Sequence, residues 1–429
     1  MTKIAILGAG YGGVCAAKVL DNEFKDDDNV EITLFDRNPF HTLMTELHEV
    51  ASGRAKPKDV QIPLKKIFAG KKVKIQIGNV TEIDFDQKLI EEEKGRSSYD
   101  FLILGPGAES DYFGTTGARE NSFSLWSLQE AVVLRKHIED QFLKASRETD
   151  PVKRSKLLAF TVAGAGFTGM EMLGELLERK EVLCRRYHIQ EKEVSVTLIE
   201  AKPEVLPILP ESLRKRSLRY LADQGTITHL GTPIIEVRKD GVTVQGGQVI
   251  ETQTLIWTCG VKGAGLAGEH SPTEKSGPVR EPQESSLHFN IRKKCRLQTN
   301  SSLQSLDHDG VFIVGDVIWY SEKTGALPQV VETALQTGTA AANNIIAEMK
   351  GRDKKPFHSD YHGFLISIGS QFAVGHVMGL VLSGFFPVVL KHLVNLQYLW
   401  RISGVRACLD YTKSHFIETK LGRIPKPIS

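Results

Sequence analysis

The stretch that decides the fold is residues 3–13, KIAILGAGYGG. Residues 3–7 form a largely apolar run without polar alternation, which is typical of a central parallel strand covered on both faces. Gly8, Gly10 and Gly13 follow in the spacing G-x-G-x-x-G. In this pattern the first glycine allows a tight turn, the second lets a pyrophosphate approach the backbone, and the third lets the next helix pack on the sheet. The pyrophosphate would lie at the N-terminus of that helix, where unpaired N–H groups favour negative charge.

The residues after the glycines strengthen this interpretation. A glycine-rich turn alone is a weak signal, because such turns also occur as plain punctuation. Here a helix is expected over residues 14–20, and a strand over residues 31–35 ends on Asp36. A carboxylate at this position, about twenty residues past the last glycine, can bond a ribose hydroxyl. The order of strand, turn, helix, strand and acid therefore predicts a dinucleotide site.

The same pattern occurs a second time. Residues 156–162 are expected to form a strand, and Gly164, Gly166 and Gly169 repeat the glycine spacing. A helix over residues 170–179 and a strand over residues 194–199, which ends on Glu200, complete the copy. Two copies imply two dinucleotides, and the favoured pair is a permanently held flavin with a visiting nicotinamide. The alternative is that one copy is vestigial.

Composition narrows the class of protein. A chain of 429 residues is too long for one core and suggests two or three domains. Its 54 Lys and Arg against 52 Asp and Glu leave a net charge of only +2, which argues against a nucleic-acid partner. The 5 cysteines form no C-x-x-C pair and no metal-ligand spacing, so we expect a reducing compartment and no metal site. A disulfide or sulfide oxidoreductase, which needs a redox-active cysteine pair, is disfavoured for the same reason. Because residues 1–13 already form the motif, no signal peptide is expected.

Further strands and helices are expected along the chain. The strand over residues 99–104 ends in Gly105-Pro106-Gly107, and the strand over residues 311–314 ends in Gly315-Asp316. The polar segment 261–300 is interpreted as a crossover back to the first domain. The other expected elements are strands over 73–77, 80–85 and 254–260 and helical stretches within 121–150 and over 329–349.

The tail has an unusual composition. Residues 363–390 contain no Asp, Glu, Lys or Arg, a length that would allow a membrane span. Their glycines and Pro387 favour short strands that turn at glycines instead. Residues 385–402 are amphipathic, and both a core-facing and a membrane-binding helix give this pattern. One face carries Phe385, Phe386, Val389, Leu390, Leu393, Leu396 and Trp400, and the other carries Lys391 and Asn395.

Together these motifs resemble the type II NADH:quinone oxidoreductases, single-subunit flavoproteins of the two-dinucleotide-binding-domain superfamily. The resemblance spans nearly the whole chain. It rests on the segments 8–13, His41 with 45–48, 163–171, 174–176, 257–260 and 314–316.

The resemblance implies an α/β fold with two Rossmann-like dinucleotide-binding domains, for FAD and NAD, plus a C-terminal membrane-associating region. The expected division is 1–120 and 276–355 for FAD, 121–275 for NADH, and 356–429 for a C-terminal domain with the amphipathic helix. The implied enzyme transfers a hydride from NADH to FAD and then electrons to a quinone, menaquinone or ubiquinone, without proton pumping. It would be a peripheral protein on the cytoplasmic face of the cell membrane, with Lys391, Arg401 and Arg406 near anionic headgroups, and a homodimer is one of the assemblies it would allow. A soluble electron acceptor, or an NADH-binding relative without catalysis, remains the alternative.

The resemblance also implies site residues. FAD would be held by Gly8, Gly10, Gly13, Asp36, Thr45, Val80, Gly105 and Asp316. NADH would be held by Gly164, Gly166, Phe167, Thr168, Gly169, Glu200 and Gly260, with Glu200 favouring NADH over NADPH. The candidate catalytic residues are Glu171, Glu332, Gln336 and Lys391. The family's quinone-side helix usually opens with Ala-Gln, where this chain has Val331-Glu332.

Overall fold

The computed structural model of the chain describes residues 1–93, 95–265, 291–322 and 325–418, with the backbone alone for residues 416–418. Most of the expected crossover, residues 266–290, lies outside the described residues. The chain forms two compact units. Unit 1 comprises Met1–Thr42, Gln61–Glu109 and Val261–Tyr361, and unit 2 comprises Leu43–Val60, Ser110–Gly260 and His362–Ser429.

Unit 1 is built on a parallel sheet that starts from the strand Thr2–Leu7. In the described part of the chain its strand order is Val311–Ile313, Phe101–Leu104, Thr2–Leu7, Val30–Asp36 and Lys74–Ile77. Ile4, Ile6 and Leu34 are fully buried, as expected of strands covered on both faces. The strand order reverses between Thr2–Leu7 and Phe101–Leu104, and open parallel sheets bind ligands at the carboxyl ends of such a pair.

Two long helices pack against each other in unit 1, Tyr11–Phe24 and Val331–Met349. A small antiparallel sheet contains Val80–Asp84, Leu89–Glu92 and Gly95–Ser98. The remaining described elements of this unit are the strands Phe40–Thr42, Gln61–Pro63, Val261–Gly263, Ile291–Arg292, Arg296–Gln298, Ile318–Trp319, Ser321–Glu322 and Gly325–Ala326, the strand Ala108–Ser110, whose last residue belongs to unit 2, and the helical segments Leu64–Ile67, Lys293–Cys295 and Gly315–Val317.

Unit 2 repeats the parallel arrangement. Its strand order within the described residues is Phe123–Ser124, Thr254–Trp257, Ala159–Ala163, Ser195–Ile199 and Ile227–His229. The order reverses between Ala159–Ala163 and Thr254–Trp257, which is the topological counterpart of the reversal in unit 1. The expected internal repeat is therefore present in the fold.

Unit 2 also contains the tail. The strands Gly363–Ser367, Ala373–Val377 and Leu380–Gly384 form an antiparallel sheet, which confirms the expectation of short strands. Helices Phe386–Ser403 and Val405–Thr412 follow. The other described elements are helical segments Met44–Glu46, Leu47–Ser52, Pro57–Val60, Ala118–Asn121, Leu128–Ala145, Pro151–Leu157, Phe167–Tyr187, Glu191–Glu193, Glu211–Asp223 and Lys413–Glu418, and strands Ile234–Arg238, Gly241–Val244 and Val249–Glu251.

Two sequence expectations differ from the structure here. The strand expected from residue 156 begins only at Ala159, because Asp150 caps a helix over Pro151–Leu157 by accepting from the N–H groups of Val152 and Lys153. The helix after the second glycine set is longer than expected and spans Phe167–Tyr187. None of the described helices has both the length and the apolar character needed to cross a membrane.

Candidate dinucleotide sites and a buried ion pair

The first glycine loop, Gly8–Gly13, is shaped by close backbone packing. Gly8 has φ +99°, and a Cβ there would lie 2.2 Å from the carbonyl oxygen of Gly105. A Cβ on Gly13 would lie 1.8 Å from the carbonyl oxygen of Gly8. Both distances are too short for any side chain, so glycine is required for the turn and for the helix to begin at Tyr11.

Gly10 is constrained differently. Its φ is −71°, and a Cβ on it would meet no described atom within 4 Å. Gly10 is the N-cap of Tyr11–Phe24, and no side chain caps this helix end. The helix N-terminus is therefore not capped by a side chain, and the space beside Gly10 is open, as a bound pyrophosphate requires. The loop geometry fits a dinucleotide.

Asp36 is tied to the first loop. Its Oδ2 accepts a hydrogen bond from the N–H of Ala9 at 2.7 Å, and its Oδ1 accepts from the N–H of Asn38 at 2.7 Å. Burial raises the pKa of Asp36, and these two hydrogen bonds oppose that shift. Each carboxylate oxygen keeps a second lone pair with which it can bond a ribose hydroxyl.

The second glycine loop, Gly164–Gly169, has the same geometry. Gly164 has φ +101°, and a Cβ on Gly169 would lie 1.8 Å from the carbonyl oxygen of Gly164. Gly166 is the N-cap of Phe167–Tyr187. As at Gly10, a Cβ added to Gly166 would have no described atom within 4 Å. Glu200 Oε2 accepts from the N–H of Ala165 at 2.6 Å, and its Oε1 accepts from the N–H of Lys202 at 2.8 Å. Both loops therefore have the same backbone geometry, a helix N-terminus after the second glycine, and a carboxylate that accepts a hydrogen bond from the loop backbone.

The helix crossing beside the first loop was not predicted. A Cβ on Gly338 would lie 2.3 Å from the carbonyl oxygen of Gly12, and a Cβ on Gly12 would lie 3.1 Å from that of Ala334. The N–H of Gly315 donates to Thr337 Oγ1 at 3.0 Å. The small residues of the helix Val331–Met349 allow it to approach the first loop closely. They are the feature of the sequence from which this close packing could have been predicted.

The remaining FAD candidates lie in different surroundings. Asp316 is half-buried in the turn Gly315–Val317, where burial raises its pKa to about 6 and Arg296 opposes the shift. Val80 packs against a hydrophobic cluster that includes Phe35. Thr45 belongs to unit 2, and its hydroxyl is buried without a hydrogen-bond partner among the described residues.

His41 supports the first loop, a role that the sequence did not indicate. Its Nδ1 lies 2.9 Å from the carbonyl oxygen of Ala9, and its ring packs edge-on against Tyr11 with centroids 4.8 Å apart. Burial lowers the pKa of His41 to about 4. The imidazole is therefore neutral at pH 7, and Nδ1–H donates to Ala9.

Replacing His41 with glutamine is expected to remove part of the acid sensitivity of the fold. The pKa of His41 is about 4 in the folded chain and 6.5 when unperturbed, so between these values the unfolded chain binds more protons. The neutral His41 therefore contributes to the free energy of unfolding above pH 6.5. This contribution, up to about 3 kcal/mol, is lost as the pH falls from 6.5 towards 4. Urea unfolding at several pH values should show that the free energy of unfolding depends less steeply on pH in His41→Gln. Flavin binding should also weaken by about tenfold, because the substitution alters the hydrogen bond to Ala9.

His137→Gln is the matched control for this prediction. The pKa of His137 is also lowered to about 4 by burial, and its Nε2 lies 2.9 Å from Thr254 Oγ1 in unit 2. This variant should lose a similar part of the pH slope but keep its flavin affinity. An unchanged slope in His41→Gln would contradict the assignment of its pKa.

The NADH candidates lie around the second loop. Phe167 begins the helix after Gly166, and its ring lies 5.4 Å from that of Phe364. Thr168 follows in the first helical turn and is half-buried. The carbonyl oxygen of Gly260 accepts from the N–H of Asp111 at 3.0 Å.

Glu171 and Lys391 form a buried ion pair, although 220 residues separate them in the sequence. Lys391 Nζ lies 2.7 Å from Glu171 Oε1 and donates to Ser367 Oγ at 2.8 Å. His48 Nδ1 lies 3.7 Å from Glu171 Oε2. Glu171 is on the helix Phe167–Tyr187, one turn after Phe167, so the pair lies close to the second loop along this helix.

The charges of this pair follow from burial and from their partners. Burial raises the pKa of Glu171, and Lys391 opposes the shift. Burial would lower the pKa of Lys391, but Glu171 and Glu46 outweigh it and raise that pKa. Burial holds the pKa of His48 well below its ordinary value, so this imidazole is neutral. A carboxylate of raised pKa beside an ammonium group can hold and exchange a proton.

The expected position of Lys391 near lipid headgroups is wrong. Only 8% of Lys391 is exposed, and its ammonium group points to Glu171. Asn395, expected on the same polar face, is half-buried and donates to Glu46 Oε1 at 2.6 Å. Arg401 and Arg406 are exposed.

The other two catalytic candidates lie on the helix Val331–Met349 in unit 1. Glu332 is in its first turn. The amide group of Gln336 donates to the carbonyl oxygen of Asp360, and its Oε1 accepts from the N–H of Asp360 at 2.9 Å. Gln336 therefore fastens this helix to the following segment.

Further buried charges lie around the pair, and of these the sequence indicated Glu175, one turn after Glu171, but not its partner Arg54. Arg54 Nη2 lies 2.5 Å from Glu175 Oε1 and 2.9 Å from Glu49 Oε1. Ser52 Oγ donates to Glu175 Oε2 at 2.6 Å. The segment T-E-L-H at residues 45–48 was noted for its resemblance only, and no local pattern indicates Glu49 or Arg54.

This combination of two dinucleotide loops, each with an acid at the end of the next strand, defines a class of flavin and nicotinamide oxidoreductases. Residues 2–338 match the family model of the pyridine nucleotide-disulphide oxidoreductases. The chain is 32% identical over 410 residues to a type II NADH:quinone oxidoreductase from Staphylococcus haemolyticus, covering 94% of this chain and 96% of that protein. It is 30% identical, with the same coverage, to the corresponding protein from Staphylococcus aureus.

The chain belongs to the type II NADH:quinone oxidoreductases, within that larger family. A solved structure with a similar fold is that of NDH2 from Plasmodium falciparum in complex with NADH. Its TM-score is 0.81 at 16% sequence identity, covering 97% of this chain and 98% of that chain. The family resemblance noted in the sequence is thereby confirmed. All five cysteines are free.

Proposed function

We propose that this chain oxidises NADH with the help of bound FAD and passes the electrons to a quinone. The observation that carries the proposal is the pair of glycine loops of equal geometry, each with a carboxylate bonded to its backbone. Bound FAD would supply the redox chemistry, since it can accept a hydride from a nicotinamide and return electrons to an acceptor. The protein supplies binding, orientation and protons.

FAD is assigned to the first loop, and NADH to the second. Gly10 and the helix N-terminus after it would hold the pyrophosphate of FAD. Asp36 would bond the FAD ribose, and Asp316 would lie against a further part of FAD. Gly166 and Glu200 would hold the corresponding parts of NADH. Phe167 and Thr168, which follow directly, would border the nicotinamide.

Glu171 and Lys391 are assigned to proton handling. Reduction of a quinone to a hydroquinone consumes two protons with two electrons, so a proton source beside the acceptor is required. Lys391 Nζ lies 2.7 Å from Glu171 Oε1 and 2.8 Å from Ser367 Oγ, so hydrogen bonds join a carboxylate, an ammonium group and a hydroxyl group. Glu332 and Gln336 remain candidates for the quinone side, on the opening turns of their helix.

The nucleotide preference tests the second loop. The carboxylate of Glu200 would bond a ribose 2′-hydroxyl and repel a 2′-phosphate. With a quinone analogue as acceptor, kcat/KM for NADH should exceed that for NADPH by at least about tenfold, or about 1.4 kcal/mol. Glu200→Gln should narrow this gap. Equal kcat/KM values for the two nucleotides in the unmodified enzyme would contradict the assignment.

The tail is assigned to docking on an anionic membrane surface, where long-tailed quinones reside. The segment from Met378 through the last strand and the two helices carries a group of exposed apolar side chains, and Arg401 and Arg406 in these helices are also exposed. Apolar side chains can enter the acyl boundary while basic groups meet headgroups. The exposed apolar residues are Met378, Leu380, Val381, Phe385, Phe386, Leu393, Val394, Trp400, Val405 and Leu409.

The variant Phe386→Ser with Trp400→Ser tests membrane docking. These side chains are 63% and 66% exposed, so their loss should leave the fold intact. Cosedimentation with anionic vesicles should weaken by about 10–100-fold, because two large apolar groups no longer enter the lipid. Reduction of a long-tailed quinone in vesicles should slow, while NADH oxidation with a soluble dye stays unchanged.

Phe113→Ser is the control for this prediction. Phe113 is 55% exposed but belongs to a different segment, so vesicle binding should persist. Undiminished vesicle binding by the double variant would show that the tail does not dock the enzyme.

A further inference from the structure

Three buried side chains of unit 2 direct polar atoms at one point. Glu46 ends the segment Met44–Glu46, Glu49 is in the helix Leu47–Ser52, and His415 is in the segment Lys413–Glu418. His415 Nε2 lies 3.2 Å from Glu49 Oε2 and 3.5 Å from Glu46 Oε2. Their exposed fractions are 0%, 2% and 9%. This group of Glu46, Glu49 and His415 is called the acid–histidine triad below.

Apart from these ion-pair contacts with one another, the converging atoms Glu46 Oε2, Glu49 Oε2 and His415 Nε2 have no hydrogen-bond partner in the described part of the chain. Buried polar atoms nearly always have a partner, since each unsatisfied one costs about 1–3 kcal/mol. A central ligand would satisfy all three atoms, which lie within 4.8 Å of one another.

The opposite atom of each side chain is held by the protein. Glu46 Oε1 accepts from Asn395 Nδ2 at 2.6 Å, and Glu49 Oε1 pairs with Arg54 Nη2 at 2.9 Å. His415 Nδ1 lies 3.0 Å from the carbonyl oxygen of Tyr411, to which its N–H donates, and 2.9 Å from Ser414 Oγ. In the neutral imidazole this arrangement leaves a lone pair on Nε2. Supporting bonds of this kind orient metal ligands, and metal-bound histidines commonly donate their other N–H to a backbone carbonyl.

Distance and charge both agree with a cation. Ligand atoms about 2.0–2.2 Å from a tetrahedral metal ion lie about 3.3–3.6 Å apart, close to the observed 3.2 and 3.5 Å. Four buried acids surround the region, Glu46, Glu49, Glu171 and Glu175, against the two cations Arg54 and Lys391. Glu49 and Glu46 raise the pKa of His415 to about 10 against the effect of burial, so the imidazole of the metal-free protein is protonated. A divalent cation that displaced this proton would balance the two negative charges that remain with His415 neutral.

We propose that the acid–histidine triad binds a divalent first-row transition-metal ion of the Zn²⁺ type, with two carboxylates and one imidazole as protein ligands. Such ions accept this mixture of oxygen and nitrogen ligands. The ion would fasten the C-terminal segment that carries His415 to the helix Leu47–Ser52. The site lies outside the glycine loops, and the proposal does not depend on the electron acceptor.

Zn²⁺ titration of the full-length, FAD-loaded protein tests the site. The protein is first treated with a chelator, and calorimetry then measures stoichiometry and affinity. We expect one Zn²⁺ per chain and a melting temperature that rises with Zn²⁺ concentration. His415→Gln should weaken binding by at least about 100-fold.

His392→Gln is the matched control, because the His392 ring lies 5.8 Å from that of His415 and contributes no triad atom. It should keep the Zn²⁺ site. Glu46→Gln, which keeps the side-chain size, provides a second test in case His415→Gln does not fold, with circular dichroism and flavin content as checks of folding. The absence of 1:1 Zn²⁺ binding in the unmodified protein would overturn the proposal and leave the triad as an ionic contact. Binding of unchanged affinity in a folded His415→Gln or Glu46→Gln protein would also overturn it.

Discussion

A purified Gly10→Val protein is expected to lose its FAD while it keeps its fold. The backbone of Gly10, with φ −71° and ψ −171°, is extended and open to any residue. No described atom lies within 4 Å of an added Cβ, so valine would enter the space that the pyrophosphate needs. FAD affinity should fall by at least about 100-fold, or about 2.8 kcal/mol. Flavin absorbance per chain measures the loss, and circular dichroism checks the fold.

Gly166→Val is the reciprocal control in the second loop. Gly166 has the same extended backbone and the same open surroundings. This variant should keep its FAD but show a strongly raised KM for NADH. Retention of full flavin by Gly10→Val, or loss of flavin from Gly166→Val alone, would contradict the assignment of the two loops.

Glu171→Gln is expected to slow the reaction with quinone much more than the reaction with NADH. The substitution removes the proton-holding carboxylate from the pair with Lys391, and general acid–base catalysis typically contributes at least about 100-fold. In anaerobic stopped flow, reoxidation of the reduced enzyme by quinone should fall by about that factor. Flavin reduction by NADH should change by less than about threefold if proton handling belongs to the second step.

Stability has to be separated from chemistry in this variant. Glu171→Gln leaves Lys391 as an uncompensated buried cation, which costs about 3–5 kcal/mol. The double variant Glu171→Gln with Lys391→Met removes both charges, so it should recover stability but not quinone turnover. A folded, flavin-loaded Glu171→Gln enzyme that is reoxidised at the normal rate would exclude Glu171 from proton handling.

The glycine loops could be predicted because their geometry depends on local packing. Gly8 and Gly13 leave no space for a Cβ, so the requirement appears directly in the residue types. The acids Asp36 and Glu200 are similarly constrained, since each bonds the backbone of the loop that precedes it.

Lys391 shows where sequence reasoning fails. Helical periodicity indicates which residues share a face, but it does not tell which face meets solvent. Lys391 was therefore placed at a surface, whereas its partner Glu171 lies 220 residues away and holds it in the interior. On the expected apolar face, Phe386, Leu393 and Trp400 are exposed, while Leu390 and Leu396 are half-buried. The position of His415 in the acid–histidine triad could not be predicted for the same reason, because Glu46 and Glu49, which it contacts, are far from it in the sequence.

Anaerobic titration of the purified protein tests the central claim most directly. One equivalent of NADH should bleach the flavin absorbance, and one equivalent of a menaquinone or ubiquinone analogue should restore it. This result would show that both half-reactions take place on this chain. Bleaching by NADH without recovery after quinone addition, with recovery only after a soluble dye, would contradict the proposed NADH:quinone activity.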